Sequence, residues 1–260
     1  MILYRIKRRY IRIAKWLNGI FHWNITLRLL RLTKKPIRNL NRFERRIYSQ
    51  NWEDGMIHAI FSTIGTTNKY FVEFGVEDGK ECNTRALAKQ GWKGLLMDGG
   101  NENHTINLQK EFITAENIEE LFTKNAVPQE LDLLSIDIDG NDYWVWDAIK
   151  NYAPRVVIAE YNACIPYTPA VTIPYKTDFM WDKTDYYGAS LSALVQLGTE
   201  KGYTLIATDS RGVNAFFVQD AIAHRHFVII PPKDLYRNAK TPGCFGGHPV
   251  DTLHREWVSL

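Results

Sequence analysis

Two rhythms of apolar and polar residues run along the chain. From residue 70 onward, short apolar runs recur, and acidic or amide residues close nearly every one. Tyr70–Phe74 stops at Gly75, and residues 92–97 close in Asp98-Gly99-Gly100. Residues 112–114 close in Ala115-Glu116-Asn117, and residues 131–136 in Asp137-Ile138-Asp139-Gly140-Asn141-Asp142. Residues 155–159 close in Glu160-Tyr161-Asn162. Runs of this length without alternation predict strands buried on both faces, as in a parallel sheet. Helical spacing falls between them. It predicts helices over residues 42–48 and 80–90, and one capped at Ser49 with Ile57, Ile60, Phe61 and Ile64 on one side. Another helix opens at Tyr186-Tyr187-Gly188-Ala189-Ser190-Leu191 and runs to Lys201. Residues 202–207 and 213–218 then predict a hairpin around Asp209-Ser210-Arg211-Gly212.

The first run organises the others. Strand, glycine turn (Gly75, Gly79) and helix together open a nucleotide-binding α/β sheet. Glycine serves where backbone must pass close to a ligand or take positive φ. The helix behind the turn offers free N–H groups. Asp98 follows the turn by about 20 residues, the spacing at which an acid accepts hydrogen bonds from ribose hydroxyls. Five successive runs ending in this way predict a ligand lying across the C-terminal edge of the sheet. The turn lacks the G-x-G-x-x-G spacing, which weighs against an NAD-dependent oxidoreductase.

The N-terminus keeps the other rhythm. Ile2, Leu3, Ile6, Tyr10, Ile13, Leu17, Ile20 and Phe21 recur at three- and four-residue steps, mostly with Arg5, Arg8, Arg9, Arg12 and Lys15 between them. This predicts an amphipathic basic helix, with Trp16 and Trp23 near its far end. Charge sharpens the division. Residues 1–46 carry 14 Lys/Arg against Glu44 alone, and the remainder carries 18 basic and 28 acidic residues, so a net +3 conceals an arm of +13 and a body of −10. The split predicts a basic helical extension over 1–46 and a working domain over 47–260, with Lys34-Lys35-Pro36 breaking the helical pattern. The arm either lies on an anionic membrane face or a lipid-linked acceptor, or packs on the body or on a second copy as a homo-oligomer. The acidic body argues against nucleic acid. No run approaches the roughly 18 uncharged apolar residues of a membrane span. Cys82, Cys164 and Cys244 are far apart and odd in number, so neither a disulfide frame nor a zinc site is expected, and a cytoplasmic location fits, either free or peripheral on the inner face of the membrane.

Four motifs are more specific. They are S-Q-x-x-E-D-G from Ser49, V-E-F-G-x-x-x-G from Val72, S-I-D-I-D-G-N-D-Y-W from Ser135 and E-Y-N from Glu160. Together they resemble FkbM-like S-adenosylmethionine-dependent methyltransferases, more closely the bacterial branch found among surface-polysaccharide enzymes. The resemblance spans about residues 49–218 and excludes the basic arm. It implies the class I fold, a Rossmann-like, mostly parallel seven-stranded α/β sheet with a late antiparallel hairpin. It also implies an S-adenosylmethionine cofactor and O-methylation of a sugar hydroxyl in a surface glycan (capsule, lipopolysaccharide or a precursor). Carried onto this chain, it puts Glu73 and Gly75 beside the methionine part and Asp98 on the ribose. Glu116 or Asn117 then takes the adenine edge, and Gln50 and Asp54 close the methionine end. Glu77 stands where many methyltransferases have glycine, so either the loop runs farther from the cofactor or Glu77 touches it.

The acceptor hydroxyl must lose a proton, and two arrangements could take it. Asp137, Glu160 and Asn162 follow adjacent strands, and oxygen-only ligands suit Mg²⁺, Mn²⁺ or Ca²⁺. Some class I O-methyltransferases hold a divalent ion this way, and such an ion lowers the pKa of a coordinated hydroxyl. The metal-free alternative has Asp137 on the cofactor amino group and Asp139 as general base. His248, in a glycine-rich loop, is a further candidate base or ligand. Tyr161, Tyr186, Tyr187 and Trp181 are candidates for an acceptor cleft. A rival reading is a metal-dependent glycosyltransferase that anchors a nucleotide sugar on Asp137-Ile138-Asp139, which leaves the glycine turn and Asp98 unexplained. A non-enzymatic membrane-docked scaffold has only Glu77 in its favour.

Overall fold

The apolar runs form one sheet in the computed structural model, which describes residues 35–240 and 247–260. The strands are β1 (Tyr70–Phe74), β2 (Lys93–Asp98), β3 (Leu108–Lys110), β4 (Leu133–Ile136), β5 (Val156–Glu160), β6 (Val171–Thr172), β7 (Tyr203–Thr208), β8 (Asn214–Gln219) and β9 (Val258–Ser259). Seven of them run in the order β3-β2-β1-β4-β5-β8-β7. β8 is antiparallel to β5 and β7, and the other pairings in this sheet are parallel. This is the Rossmann-like class I arrangement, with the expected hairpin at one edge. β6 and β9 form a separate antiparallel pair that the residue pattern does not announce.

Successive strand residues point to opposite faces, and both faces here are apolar. Val72, Phe74, Leu95, Met97, Leu134, Ile136 and Phe217 join one core. It is capped by α3 (Ile118–Lys124), α4 (Asp142–Ala148) and α5 (Leu191–Glu200) through Phe122, Trp146, Leu194 and Leu197. Phe71, Leu96, Leu133, Val156, Ile158 and Phe216 join the other core. There α1 (Glu53–Ile64), the one-turn α2 (Arg85–Ala88) and α6 (Asp220–His226) contribute Met56, Ile57, Ile60, Leu87 and Ala223. A short α7 (Pro232–Leu235) follows. Each fully buried large side chain contributes about 1.5–3 kcal/mol, and the two-faced burial explains the lack of alternation.

Several expected elements differ. Residues 112–114 are not a strand, and β3 lies four residues earlier. The helix expected over 80–90 shrinks to α2, because the Glu73 carboxylate accepts Asn83 N (2.7 Å) and Thr84 N (2.9 Å) and holds the preceding loop open. Residues 42–48 do not resume a helix. A 3₁₀ turn over Asn41–Phe43 gives way to irregular chain. Ser49 does not occupy the capping position of α1. Trp52 does, in a left-handed conformation (φ 75°).

The first 34 residues of the predicted basic extension, with its amphipathic helix, lie outside the described residues. Its last part packs on the body. Ile37 N donates to His226 O (3.0 Å), Val228 N donates to Ile37 O (2.8 Å), and Leu40 and Phe43 are buried. Among the described residues no helix is long and apolar enough to cross a membrane.

Candidate functional site

The strand order reverses between β1 and β4, where a parallel sheet opens a crevice at its carboxyl edge. Gly75 lies at that point with φ +65°, and a β-carbon there would sit 1.6 Å from the Asp137 carbonyl oxygen. Only glycine lets the two strand ends meet so closely. Glu77, itself left-handed at φ 48°, donates its N–H to Asp98 Oδ2 (2.9 Å). Asp98 Oδ1 accepts from Gly100 N (2.8 Å) and Asn101 N (2.9 Å). One carboxylate thus ties the loop after β1 to the loop after β2. The loop after β4 wraps around Asp142, whose oxygens accept Ile138 N and Gly140 N at 2.9 Å each. Burial pushes Asp142 up to about 6 despite those bonds.

Two cavities open along this edge. One, of about 630 Å³, is lined by Asp98, Phe112, Ile113, Ile138, Asn141 and Met180 among others. The second, of about 590 Å³, is lined by Gln50, Asp137, Asp139, Glu160 and His248 among others. Gly75, Glu77, Asp139 and Trp181 line both, so the two meet over the β1 turn.

The second cavity concentrates acid. Ligand oxygens of Asp137, Asp139 and Glu160 all lie within 4.8 Å of one another. Burial, and then the negative charges around it, raise Asp137 well above the usual carboxylate range; burial and the neighbouring Asp137 do the same to Glu160. The two are within hydrogen-bond reach, yet Glu160 Oε2 is buried without a partner. Such a pair holds a proton or a cation between its members. Asp139 is the most accessible member, though its carboxyl is partly desolvated in the cleft. Burial raises it too, while His248 pulls it down. His248 packs edge-on against Trp181 (4.6 Å) and Tyr187 (5.3 Å), and burial lowers its pKa, which favours the neutral imidazole. Tyr187 is 1% exposed and its hydroxyl, beside Glu160, has no partner.

The structure gathers Gln50, Gly75, Glu77, Asp98, Asp137, Asp139, Glu160 and His248 at this edge and separates the rest. Asp54 is 2% exposed, and its Oδ2 accepts Ile47 N, Tyr48 N, Ser49 N and the Ser49 hydroxyl, which shapes the strap leading into α1. Glu73 is buried beneath the β1 turn, bonded to Asn83 and Thr84 and pushed by burial to about 7. Neither Glu116 nor Asn117 lines the first cavity. Glu116 accepts the Tyr175 hydroxyl, and Asn117 is spent on Thr114 N and Phe112 O. Phe112 and Ile113, expected in a strand, form that wall instead.

Asn162 is fully buried. Its Nδ2 donates to Asp185 O and Tyr187 O (2.8 Å each), and its Oδ1 accepts Cys164 N (2.9 Å). These bonds hold the amide against the backbone, and the carboxylates gathered at the cluster are Asp137, Asp139 and Glu160. Tyr161 is buried with its hydroxyl on Arg237 O (3.0 Å). Tyr186 faces a different cavity. Pattern reading passed over Asn141, 5% exposed, whose Oδ1 is buried without a partner on the wall of the first cavity. Its position between Gly140 and Asp142 was the available signal. Comparison with protein-family models returns no match, and neither does comparison with curated proteins.

Proposed function

We propose that the chain is an S-adenosylmethionine-dependent O-methyltransferase acting on a sugar hydroxyl of a surface glycan. The observation that carries this reading is the meeting of the two cavities at Gly75, Glu77, Asp139 and Trp181. A donor compartment beside a strand-end acid and an acceptor compartment beside three carboxylates suit in-line transfer between two bound groups.

When bound, S-adenosylmethionine supplies an electrophilic methyl on a positively charged sulfur. The first cavity offers Asp98 Oδ2, which holds only the Glu77 N–H, to ribose hydroxyls, the side chains of Phe112 and Ile113 to a flat base, and the unpaired Asn141 Oδ1 to a donor group. In the second cavity Asp139, or the neutral imidazole of His248 facing it, takes the hydroxyl proton. Carboxylates beside the transfer point help to bind the cationic donor. The donor set also fits a divalent ion. Asp137, Asp139 and Glu160 supply only oxygens, and the unpartnered Glu160 Oε2 leaves one of them unsatisfied. Such an ion would lower the pKa of the acceptor hydroxyl.

The clustering of Asp137 with Asp139 also meets the first requirement of the glycosyltransferase alternative. Calorimetric titration decides between the two. S-adenosylhomocysteine should bind in the micromolar range or tighter, and nucleotide sugars with Mn²⁺ should not. Binding of a nucleotide sugar and not of S-adenosylhomocysteine would overturn the reading.

A further inference from the structure

A third cavity, of about 560 Å³, lies behind the acid cluster and has no part in the scheme above. It is within the roughly 300–1,000 Å³ typical of small-molecule sites. Its floor is apolar, with Ile165, Pro166, Pro169 and Val171, and its rim carries Asp185, Tyr186, Asp251, Arg255 and Trp257.

The wall dividing it from the acid cluster is thin and built from few parts. Asn162 ties the backbone of Cys164, Asp185 and Tyr187 together, as described above. Cys164 and Asp185 line the third cavity, while Tyr187 packs against His248 of the second. Asp185 N donates to Pro249 O (2.7 Å), and the Cys164 thiol lies against the His248 backbone. A ligand passing over residues 248–251 would reach from one cavity into the other.

The lining selects a chemistry. Arg255 is already committed, paired to Asp182 (2.8 Å) and Asp251 (3.1 Å) and stacked 4.1 Å over the Tyr186 ring. Asp251 is spent on the same guanidinium and on Leu253 N and Arg255 N, and Asp185 Oδ1 accepts Asp251 N (2.7 Å), which leaves Asp185 Oδ2 facing the cavity beside His254. Among the described lining residues there is no uncommitted arginine or lysine for a phosphate or a uronate. Carboxylates accept hydrogen bonds from hydroxyls and amines. Arg255 covers one face of Tyr186, and Trp257, half-buried and 4.9 Å from that ring, supplies the remaining flat apolar surface. An apolar floor, an indole, the His254 imidazole and the Asp185 carboxylate, without an uncommitted guanidinium or ammonium among the described lining residues, suit an uncharged or amino sugar.

We propose that the third cavity is a second sugar subsite, so that the acceptor is a saccharide of at least two units whose unit next to the reacting one is neutral or amino-substituted. This rests on the reading of the acid cluster as the acceptor site.

The test is retention of the labelled full-length protein on an array of neutral, amino, uronic and phosphorylated saccharides of one to six units. Wild type should be retained on neutral or amino saccharides of two or more units. Trp257→Ala should lower that signal at least about tenfold, equivalent to about 1.4 kcal/mol, and Trp257→Phe should restore part of it. A thermal melt of each variant separates lost binding from lost folding. Three results would overturn the proposal: no retention, preference for monosaccharides or charged saccharides, or equal retention of Trp257→Ala. A parallel titration with S-adenosylhomocysteine keeps the two claims apart. Its failure removes the methyltransferase reading, whereas its success without saccharide retention removes only the subsite.

Discussion

Replacing Gly75 by alanine probes the junction on which both cavities depend. Two penalties act there. A β-carbon on left-handed backbone costs about 1–2 kcal/mol. The same carbon would also lie 1.6 Å from the Asp137 carbonyl oxygen and 2.8 Å from its carbonyl carbon, both backbone atoms of a paired strand end. Neither can rotate away, so β1 and β4 must separate by more than an ångström, at a further cost of about 1–3 kcal/mol. Gly202 is the control. It has φ +79° in the turn between α5 and β7, and nothing lies within 4 Å of its would-be β-carbon. Gly202→Ala should therefore incur the conformational penalty alone. Urea unfolding of the two variants should give equal slopes, and Gly75→Ala should be the less stable by about 1–3 kcal/mol. Equal destabilisation would refute the close approach of the two strand ends and the shared cavity edge built on it.

Glu73 predicts how stability follows pH. Its carboxyl is pushed from the ordinary 4.5 to about 7, so the native state keeps a proton that the unfolded chain releases. Its stabilising effect is complete below about pH 4.5 and declines as pH rises through 7, by on the order of 3 kcal/mol for this group. Unfolding midpoints at pH 5 and pH 8 should show the fall, and Glu73→Gln should reduce it by about that amount, the raised carboxyls of Asp142 and Asp209 keeping the rest; an identical fall in the variant would sink the assignment. At the candidate site, Asp98→Asn and Asp139→Asn should separate binding from chemistry. Asp98→Asn should weaken S-adenosylhomocysteine binding about tenfold or more, the worth of a charge-assisted hydrogen bond. Asp139→Asn should keep that binding within about twofold and slow methyl transfer by about a hundredfold or more. Equal loss of binding in both variants would contradict the division into donor and acceptor cavities.

The strands were readable in the sequence wherever both faces of the sheet are buried. β1, β2, β4 and β5 came out within one or two residues, because an unbroken apolar run of that length has few other uses. β3 did not. Phe112-Ile113-Thr114 has the stronger strand propensity, but Leu108-Gln109-Lys110 forms the strand, with Leu108 as its one buried side chain. An edge strand needs backbone pairing on one side only, here to Leu96, Met97 and Asp98. Its side chains carry little of the signal. Phe112 and Ile113 are apolar for another reason, since they face the first cavity.

The site was readable to the level of which loops converge, and not to the level of which side chains face the cleft. Position in the chain marks an acid or amide at a strand end; the local fold decides what it does. Glu73, Asn117 and Asn162 each lie within about a dozen residues of loop N–H groups that fold back onto them, and each is used up there. Asp54 is held in the same way through Oδ2 alone, its Oδ1 being buried without a partner. A buried polar group without such partners would be costly, so in Glu73, Asn117 and Asn162 the burial and the bonding explain each other. Asp137 and Glu160 break that pattern. Both are half-buried, and among the described residues no backbone N–H is bonded to either carboxylate. Their charge is left for something outside the fold to satisfy, whether a proton, a cation or the positive end of a bound donor. The missing backbone partners, more than the Asp-x-Asp spelling, are what separate these acids from their structural neighbours.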